Sequence, residues 1–269
     1  MSYVYGLIVA YYWLNQLYNP MMSIKHTLAL LTCAAASVCN ASTVHVVFDS
    51  PIFTGTGYDN VFITFPNQTG NQSTTENVLA GRFKGKASNV VGVDPAIFVD
   101  GVDNLYMYCY DVYENINSGW SVDYTINFNG ERARTLDFLG AVNAVMNAGK
   151  TSYDKFAWLH PVDGNQGAAI QLGIWESLYD TTGWSLDAGS FKATRLGSGT
   201  RSWLDSFFSQ IPFTDSVDGQ YVMTLEARGA QDMITGDPPA GVPEPGSLAL
   251  LGLGLAALAY TQRKNVEQA

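Results

Sequence analysis

A cysteine and a glutamine are the two side chains of this sequence whose types and settings could support covalent chemistry. Cys109 lies in a predicted strand of aromatic and apolar residues. Gln171 lies in a predicted helix, where it shares one face with Ile174, Trp175 and Leu178 at the spacing i, i+3, i+4 and i+7. The glutamine is therefore expected to face the core.

The side-chain amide of Gln171 needs a partner, because an unsatisfied buried amide costs about 1–3 kcal/mol. Its ordinary explanation is a hydrogen bond to nearby backbone. A reactive explanation is that the thiolate of Cys109 attacks the amide carbon and expels ammonia, which leaves a Cys–Gln thioester. That reaction requires two side chains in contact and the exclusion of water, but no metal or cofactor. Both explanations are open on the sequence alone.

The chain has three cysteines, and their positions decide which of them can act. Cys33 and Cys39 fall in a predicted signal peptide, so Cys109 is the cysteine expected to remain after export. A lone thiol in an oxidising compartment must be buried, paired or used. Besides a thioester, Cys109 could be a small buried hydrophobe or pair with His160 as the nucleophile of a hydrolase. No catalytic signature surrounds either of these two residues.

The segments around Cys109 and Gln171 resemble the thioester domain of bacterial surface adhesins. That family carries an aromatic-Cys-x-Asp motif on a strand and an apolar-Gln-x-small-Ile-Trp motif on a later helix. The matching segments here are residues 108–111, Tyr-Cys-Tyr-Asp, and residues 170–176, Ile-Gln-Leu-Gly-Ile-Trp-Glu. Gly173 stands where the family usually has alanine.

This resemblance implies an internal thioester between Cys109 and Gln171, which a lysine amine on a target would open to form a covalent amide. It implies an adhesive role, with no enzyme activity, no cofactor and no metal. The target would be a protein or polymer that carries amines, in an extracellular matrix or on another surface. The residues expected to support the thioester are Tyr108, Asp111, Ile174 and Trp175.

Two other interpretations of the polar and aromatic residues were open. Asp94, Asp100 and Asp103 lie upstream of the cysteine, but Val102 stands where a calcium loop needs an oxygen ligand two positions after Asp100. These aspartates are therefore assigned to loops, and no metal site is predicted. The alternative function is a non-covalent matrix- or carbohydrate-binding envelope module with an inert, buried Cys109. Its aromatic surface could come from Trp120, Trp158, Trp184 or Trp203.

The C-terminal end has three parts in the order of a sorting signal. A rigid proline-containing motif comes first, an apolar segment follows it, and two basic residues come last. The apolar segment is shorter than a full bilayer crossing, which needs about 20 residues. The motif is Val242, Pro243, Glu244, Pro245 and Gly246; the membrane helix is predicted from Leu248 to Tyr260, and the stop-transfer residues are Arg263 and Lys264. Together they resemble the PEP-CTERM sorting signal of Gram-negative envelope proteins, over residues 243–265.

In that family an exosortase recognises the signal in the membrane and processes the exported protein. The resemblance implies that the chain meets the secretion machinery, an exosortase and, transiently through its C-terminal helix, the inner membrane. Its destination would be the cell surface or extracellular matrix of a Gram-negative bacterium.

The N-terminal end predicts export as well. Lys25 provides a charged start, residues 27–38 form a short apolar core, and small residues up to Ala41 form a cleavage site, which is the layout of a secretory signal peptide. We interpret residues 1–41 as a mis-called start plus this signal peptide, with the true start at Met21 or Met22. The alternative is an N-terminal membrane anchor.

The composition limits the partners. The chain carries 14 Lys and Arg against 24 Asp and Glu, a net charge of −10, and its isoelectric point is near 4.6. Such a chain has no basic surface for nucleic acid, so no nucleic-acid partner is predicted. With 47% hydrophobic residues it is expected to fold around a core.

The elements that would position Cys109 and Gln171 form an α+β domain over residues 42–234. We predict an antiparallel β-sandwich or barrel-like fold with a helical block inserted before the last strand, then a linker over 235–242 and the C-terminal apolar helix. The predicted strands are 44–48, 61–65, 105–112, 122–128 and 220–227, and the predicted helices are 135–148, 168–180 and 201–210.

Overall fold

Nine strands, three α-helices and four short 3-10 helices form within residues 41–238, the part of the chain that the computed structural model describes. The strands are β1 (Thr43–Phe48), β2 (Asp59–Pro66), β3 (Ser73–Ala80), β4 (Phe83–Val91), β5 (Leu105–Cys109), β6 (Ser121–Asn127), β7 (Lys192–Thr194), β8 (Val222–Glu226) and β9 (Met233–Gly236). The helices are α1 (Ala133–Asn147), α2 (Gly164–Tyr179) and α3 (Ser198–Gln210). The predicted signal peptide and C-terminal sorting signal lie outside the described residues, apart from Ala41 itself.

Six strands close into an antiparallel barrel in the order β1-β4-β5-β9-β8-β6. Their inward positions carry the apolar residues that the alternation of the sequence predicted; Val44, Val46 and Phe48 of β1 are all buried. Because the sheet closes, each of these six strands pairs with a neighbour on both sides along at least part of its length. The prediction of an α+β fold with a barrel-like sheet is confirmed.

A second, three-stranded sheet has the order β3-β2-β7. The central strand β2 buries Val61, Ile63 and Phe65, whereas β3 exposes most of its residues and pairs with β2 along its whole length. The sequence analysis missed β3 because its residues, STTENVLA, lack the apolar alternation of a half-buried strand.

Helix α2 is the central helix of the helical block, and it is buried along most of its length. It begins after Asp163, whose carboxylate accepts a hydrogen bond from the backbone N–H of Gln166 at 2.8 Å. Gly173 lies at the crossing with α1, where an added Cβ would collide with the ring of Phe138. The absence of a side chain at Gly173 therefore allows the two helices to pack closely.

Most predicted elements are present with bounds shifted by one to four residues, and some strands were not predicted. Strand β5 ends at Cys109 rather than at residue 112, and neither β4 nor β7 was predicted. Strand β9 includes Thr235 and Gly236, which the sequence analysis placed in the linker because their composition is that of a turn. The helical block therefore precedes two barrel strands, β8 and β9, instead of one.

Helices that could span a bilayer are not found between residues 41 and 238: none there is both long and apolar enough. The predicted membrane helix, Leu248 to Tyr260, falls outside this range.

Candidate functional site

Cys109 is the last residue of β5, and it lies in the wall of the barrel with 1% of its surface exposed. On one side β5 pairs with β9, where Cys109 lies opposite Met233. Backbone pairing continues one step further, since the N–H of Tyr110 donates to the carbonyl of Asp232 at 2.7 Å. By this register the side chain of Gln231 is a diagonal neighbour of Cys109 on the same face of the sheet.

Gln171 contacts the other edge of β5, at the position of Cys109, where β5 extends beyond its pairing with β4. Strand β4 begins at Phe83, opposite Met107, so no β4 residue pairs with Cys109. The amide of Gln171 takes that place: the N–H of Cys109 donates to Oε1 at 2.9 Å, and Nε2 donates to the carbonyl of Cys109 at 2.9 Å. Both residues are buried, so these two bonds satisfy the backbone where the sheet stops.

The thiol of Cys109 contacts a different glutamine, Gln231. Its Sγ lies 2.7 Å from Oε1 of Gln231. Two oxygen atoms in a hydrogen bond are about 2.5–3.0 Å apart. Sulfur is larger than oxygen, so a separation of 2.7 Å between sulfur and oxygen is a very close contact. The amide of Gln231 is oriented by a bond from its Nε2 to the carbonyl of Asp111 at 3.0 Å, and Tyr124 donates to its backbone carbonyl at 3.0 Å.

The predicted pair is therefore revised. The structure brings Gln171 to Cys109, as the sequence predicted, but to the main chain of the cysteine. The ordinary explanation of the buried glutamine, bonding to backbone, is the one its contacts fit. The side chain against the sulfur is Gln231, which the sequence analysis did not select.

Asp111 connects the segments that surround the sulfur. Its carboxylate accepts the N–H of Tyr113 at 2.9 Å and the N–H of Asp232 at 2.5 Å, and its carbonyl accepts the indole N–H of Trp175 at 3.1 Å. These bonds join the loop after β5, the segment before β9 and helix α2. Asp111 lies in this loop, not on a strand as predicted, and it acts through hydrogen bonds from both its side chain and its main chain.

The surroundings of Cys109 disfavour charge. Burial, and after it the negative charge of Asp111, raises the pKa of the Cys109 thiol well above its usual range. Burial likewise raises the pKa of Asp111 to about 6, against the lowering effect of the backbone N–H groups that it accepts. At neutral pH the site thus holds a neutral thiol beside an ionised carboxylate.

A cleft of about 330 Å³ reaches this site from the surface. Cys109, Gln231 and Trp175 line its inner part, together with apolar side chains that include Phe83 and Val112. Its outer part lies between β3 and the loop after β5, and the residues there include Glu76, Asn77, Glu114, Asn115 and Asn117. A small nucleophile therefore has a path to two side chains that are otherwise buried.

The other predicted residues have supporting positions or lie elsewhere. Tyr108 precedes Cys109 on β5, so its side chain points to the opposite face of the sheet. It is fully buried, and its hydroxyl donates to the carbonyl of Trp158 at 3.1 Å. Ile174 is a buried core residue of α2. His160 bonds Asp100 at 2.9 Å and Asp154 at 3.3 Å through its two ring nitrogens, so the structure does not pair it with the thiol.

Clustered ionisable side chains and exposed tryptophans would indicate a metal site or a carbohydrate site. Between residues 41 and 238, no group of three or more His, Cys, Asp or Glu side chains is arranged to hold a metal ion. Trp158 is fully buried, Trp184 and Trp203 are half-buried, and Trp120 is 46% exposed. Most of these tryptophans therefore pack inside the domain.

Gln231 could have been found from its own local sequence. Residues 230–234, Ala-Gln-Asp-Met-Ile, place a glutamine before a short apolar run. Reading that run as a strand beside β5 would have put Gln231 near the cysteine. The glycine, aspartate and prolines that follow it instead favoured a linker, and this concealed the strand.

Comparison with known proteins gives one match. Residues 241–264 match the family described as the PEP-CTERM protein-sorting motif. No curated protein and no solved structure matches the chain significantly. The match confirms the sorting signal and indicates an exported protein that an exosortase processes at the membrane on its way toward the cell surface. The resemblance to thioester domains has no support from a match.

Proposed function

We propose that this chain is an exported surface protein whose folded domain forms an internal thioester between Cys109 and Gln231 and uses it to attach covalently to an amine on a target. The observation that carries the proposal is the 2.7 Å separation of Sγ and Oε1. In a thioester the sulfur and the carbonyl oxygen share one carbon atom, which holds them closer than non-bonded contact. Gln231 takes the role that the sequence analysis gave to Gln171.

Formation of the bond needs no other reactant. The sulfur bonds to the side-chain carbonyl carbon of Gln231, the bond from that carbon to Nε2 breaks, and the thiol proton leaves with the nitrogen as ammonia. The bond from Nε2 to the carbonyl of Asp111 holds the amide in place beforehand. Positioning of this kind supplies much of what an intramolecular reaction requires.

The electrostatics of the site support a neutral product. A buried site that raises the thiol pKa penalises a thiolate, whereas a thioester carries no charge. The bond is consumed when the target amine opens it, so the protein acts once, as an adhesive, and not as an enzyme. The target would be a protein or polymer with primary amines.

Intact-mass measurement of the secreted domain tests the proposal. The wild type should be lighter than its encoded mass by about 17 Da, the mass of ammonia lost in forming the thioester. Methylamine should open the bond and add about 31 Da to the thioester form. Cys109→Ser and Gln231→Ala should each show the encoded mass and no reaction with methylamine.

A matched control separates the two glutamines. Gln171→Glu keeps the side-chain shape at the edge of β5, and folded Gln171→Glu protein should retain the mass deficit. A wild type without the deficit, or a deficit that survives Gln231→Ala, would contradict the proposal. In that event reversible binding of a matrix polymer or carbohydrate, with Cys109 as an inert core thiol, would be the remaining function to measure.

A further inference from the structure

Strand β3 has one free edge. It pairs with β2 on one side from Ser73 to Ala80, and in residues 41–238 no other strand pairs with it. Edge strands in natural proteins are often protected by lysine, proline or a bulge. The sequence of β3, STTENVLA, has neither lysine nor proline, and its pairing with β2 is regular over eight consecutive positions. Its unpaired backbone groups are available to another extended chain.

The cleft that leads to Cys109 runs along this free edge. Four consecutive residues of β3, Glu76, Asn77, Val78 and Leu79, line it. Consecutive side chains of a strand point to opposite faces of the sheet. A cleft that contacts all four therefore contacts the edge of the strand and not only one of its faces.

Negative charge is concentrated in the outer part of the same cleft. Glu76 is exposed on β3, and Glu114 lies across the cleft in the loop after β5. Glu114 is held there because its Oε1 accepts the N–H of Gly229 at 3.0 Å. An approaching ammonium group would meet both carboxylates before it reached the inner end of the cleft.

We propose that the free edge of β3 captures an extended, lysine-bearing peptide segment of the target as an added strand, and that the cleft then directs the lysine to the Cys109–Gln231 bond. The proposal rests on the thioester function above and names the form of its partner. Backbone hydrogen bonds to β3 supply the affinity, as in other cases of strand addition. Glu76 and Glu114 supply the preference for a cationic side chain.

The chemical step balances without another reactant. The lysine ammonium first loses one proton to solvent. Its Nζ then bonds to the carbonyl carbon of residue 231, the bond from that carbon to sulfur breaks, and a second proton passes from nitrogen to sulfur. The products are an amide between the two chains and the free Cys109 thiol.

The test compares two amines on the full exported domain. One is an acetylated hexapeptide of alternating threonine and valine with a central lysine, and the other is acetyl-lysine methylamide, which has the same amine without a strand. Coupling is followed by intact mass. The hexapeptide should couple about tenfold faster, which corresponds to about 1.4 kcal/mol of added binding.

Backbone N-methylation tests the strand pairing itself. Only alternate N–H groups of an added strand face its neighbour. Methylation of one alternate set of the hexapeptide should therefore abolish its advantage, while methylation of the other set should leave the advantage intact. Equal effects of the two sets, or no advantage of the hexapeptide over acetyl-lysine methylamide, would overturn the proposal.

A protein variant tests the charge. Glu76→Gln should slow coupling of the hexapeptide, whereas Asp205→Asn, which removes an exposed carboxylate from α3, should not. The mass deficit of about 17 Da reports on the thioester separately. If the deficit is absent, the proposed function fails and this inference fails with it. If the deficit and the methylamine reaction are present but the hexapeptide has no advantage, only the strand-addition inference fails.

Discussion

Two glutamines lie against the same cysteine, and they differ in what they contact. Gln171, on α2, is fully buried and gives both ends of its amide to the main chain of Cys109. Gln231, in the segment before β9, gives its oxygen to the thiol and lines a cleft open to the surface. The first completes the sheet beyond the start of β4, and the second is the group that we propose reacts.

The two amides have different roles in this site, and the atoms that each amide contacts distinguish these roles. An amide with two strong partners is held in place and satisfies groups that would otherwise be costly to bury. An amide whose oxygen lies against a thiol is positioned for chemistry instead. We call the first region the α2 side and the second, residues 227–232 with the loop after β5, the loop side.

The largest expected effect is on the α2 side. Gln171→Ala leaves the N–H and carbonyl of Cys109 without partners in a buried edge, and it also leaves a cavity. At about 1–3 kcal/mol for each of the two orphaned groups, the free energy of unfolding should fall by about 2–6 kcal/mol, and the cavity adds to this loss. Urea denaturation followed by circular dichroism measures this. A loss below about 1 kcal/mol would show that Gln171 is not needed to complete the sheet.

The next effect distinguishes the two sides by pH. Glu176 of α2 is 1% exposed, one of its oxygens has no hydrogen-bond partner, and burial raises its pKa to about 8. An acid with a raised pKa in the folded state makes the protein less stable as pH rises from its unfolded value toward the folded one. Over the full window from about 4.5 to 8 the loss should be about 3–5 kcal/mol.

The portion of this loss between pH 7 and 8 isolates the α2 side, because Asp111 of the loop side, with a pKa of about 6, is mostly ionised by pH 7. The pKa of His160 is raised by Asp100, and this residue also loses stabilising charge as pH rises. The difference between wild type and Glu176→Gln, measured by thermal unfolding at several pH values, removes the histidine contribution. Parallel stability curves for the two proteins would be inconsistent with a protonated Glu176.

Gly173→Ala should have a smaller effect on the α2 side. The added methyl group meets the ring of Phe138, and overpacking of this kind costs about 1–3 kcal/mol. Phe138→Leu makes room at the crossing but leaves a gap of its own. The double variant should therefore be more stable than the sum of the single losses predicts, and a denaturation cycle of the four proteins measures the coupling. If the losses of the two single variants add in the double variant, the contact between residues 173 and 138 is not the source of the strain.

The smallest expected effect on stability is on the loop side, although the same substitution should abolish the proposed thioester. Gln231→Ala removes one hydrogen bond to Asp111 at the edge of a cleft, and it should lower the free energy of unfolding by about 1 kcal/mol. To exclude any contribution of the thioester itself, the comparison is made in the Cys109→Ser background. A loss as large as that of Gln171→Ala would remove the distinction between the two sides.

Much of the fold followed from pattern. The alternation of Val44, Val46 and Phe48 and the helical stripe of α2 predicted elements that the structure contains. Strands β3, β4, β7 and β9 did not follow. Strand β3 is an exposed edge strand, β4 has the small residues Gly85 and Ala87 at inward positions, and β7 and β9 are three and four residues long. Because β9 was missed, Gln231, two residues before this strand, was missed as well.

The sequence by itself determined the sorting signal at 241–264 and the presence of one cysteine in a strand with a glutamine on a buried helical face. These are local properties, because they depend on residue type and on spacing within one segment. Only the tertiary structure decided which glutamine meets the sulfur. A residue at the end of a strand directs its backbone groups to one edge and its side chain out of the sheet. Partners that are 62 and 122 positions away can therefore be assigned only when the strands on both sides are in place.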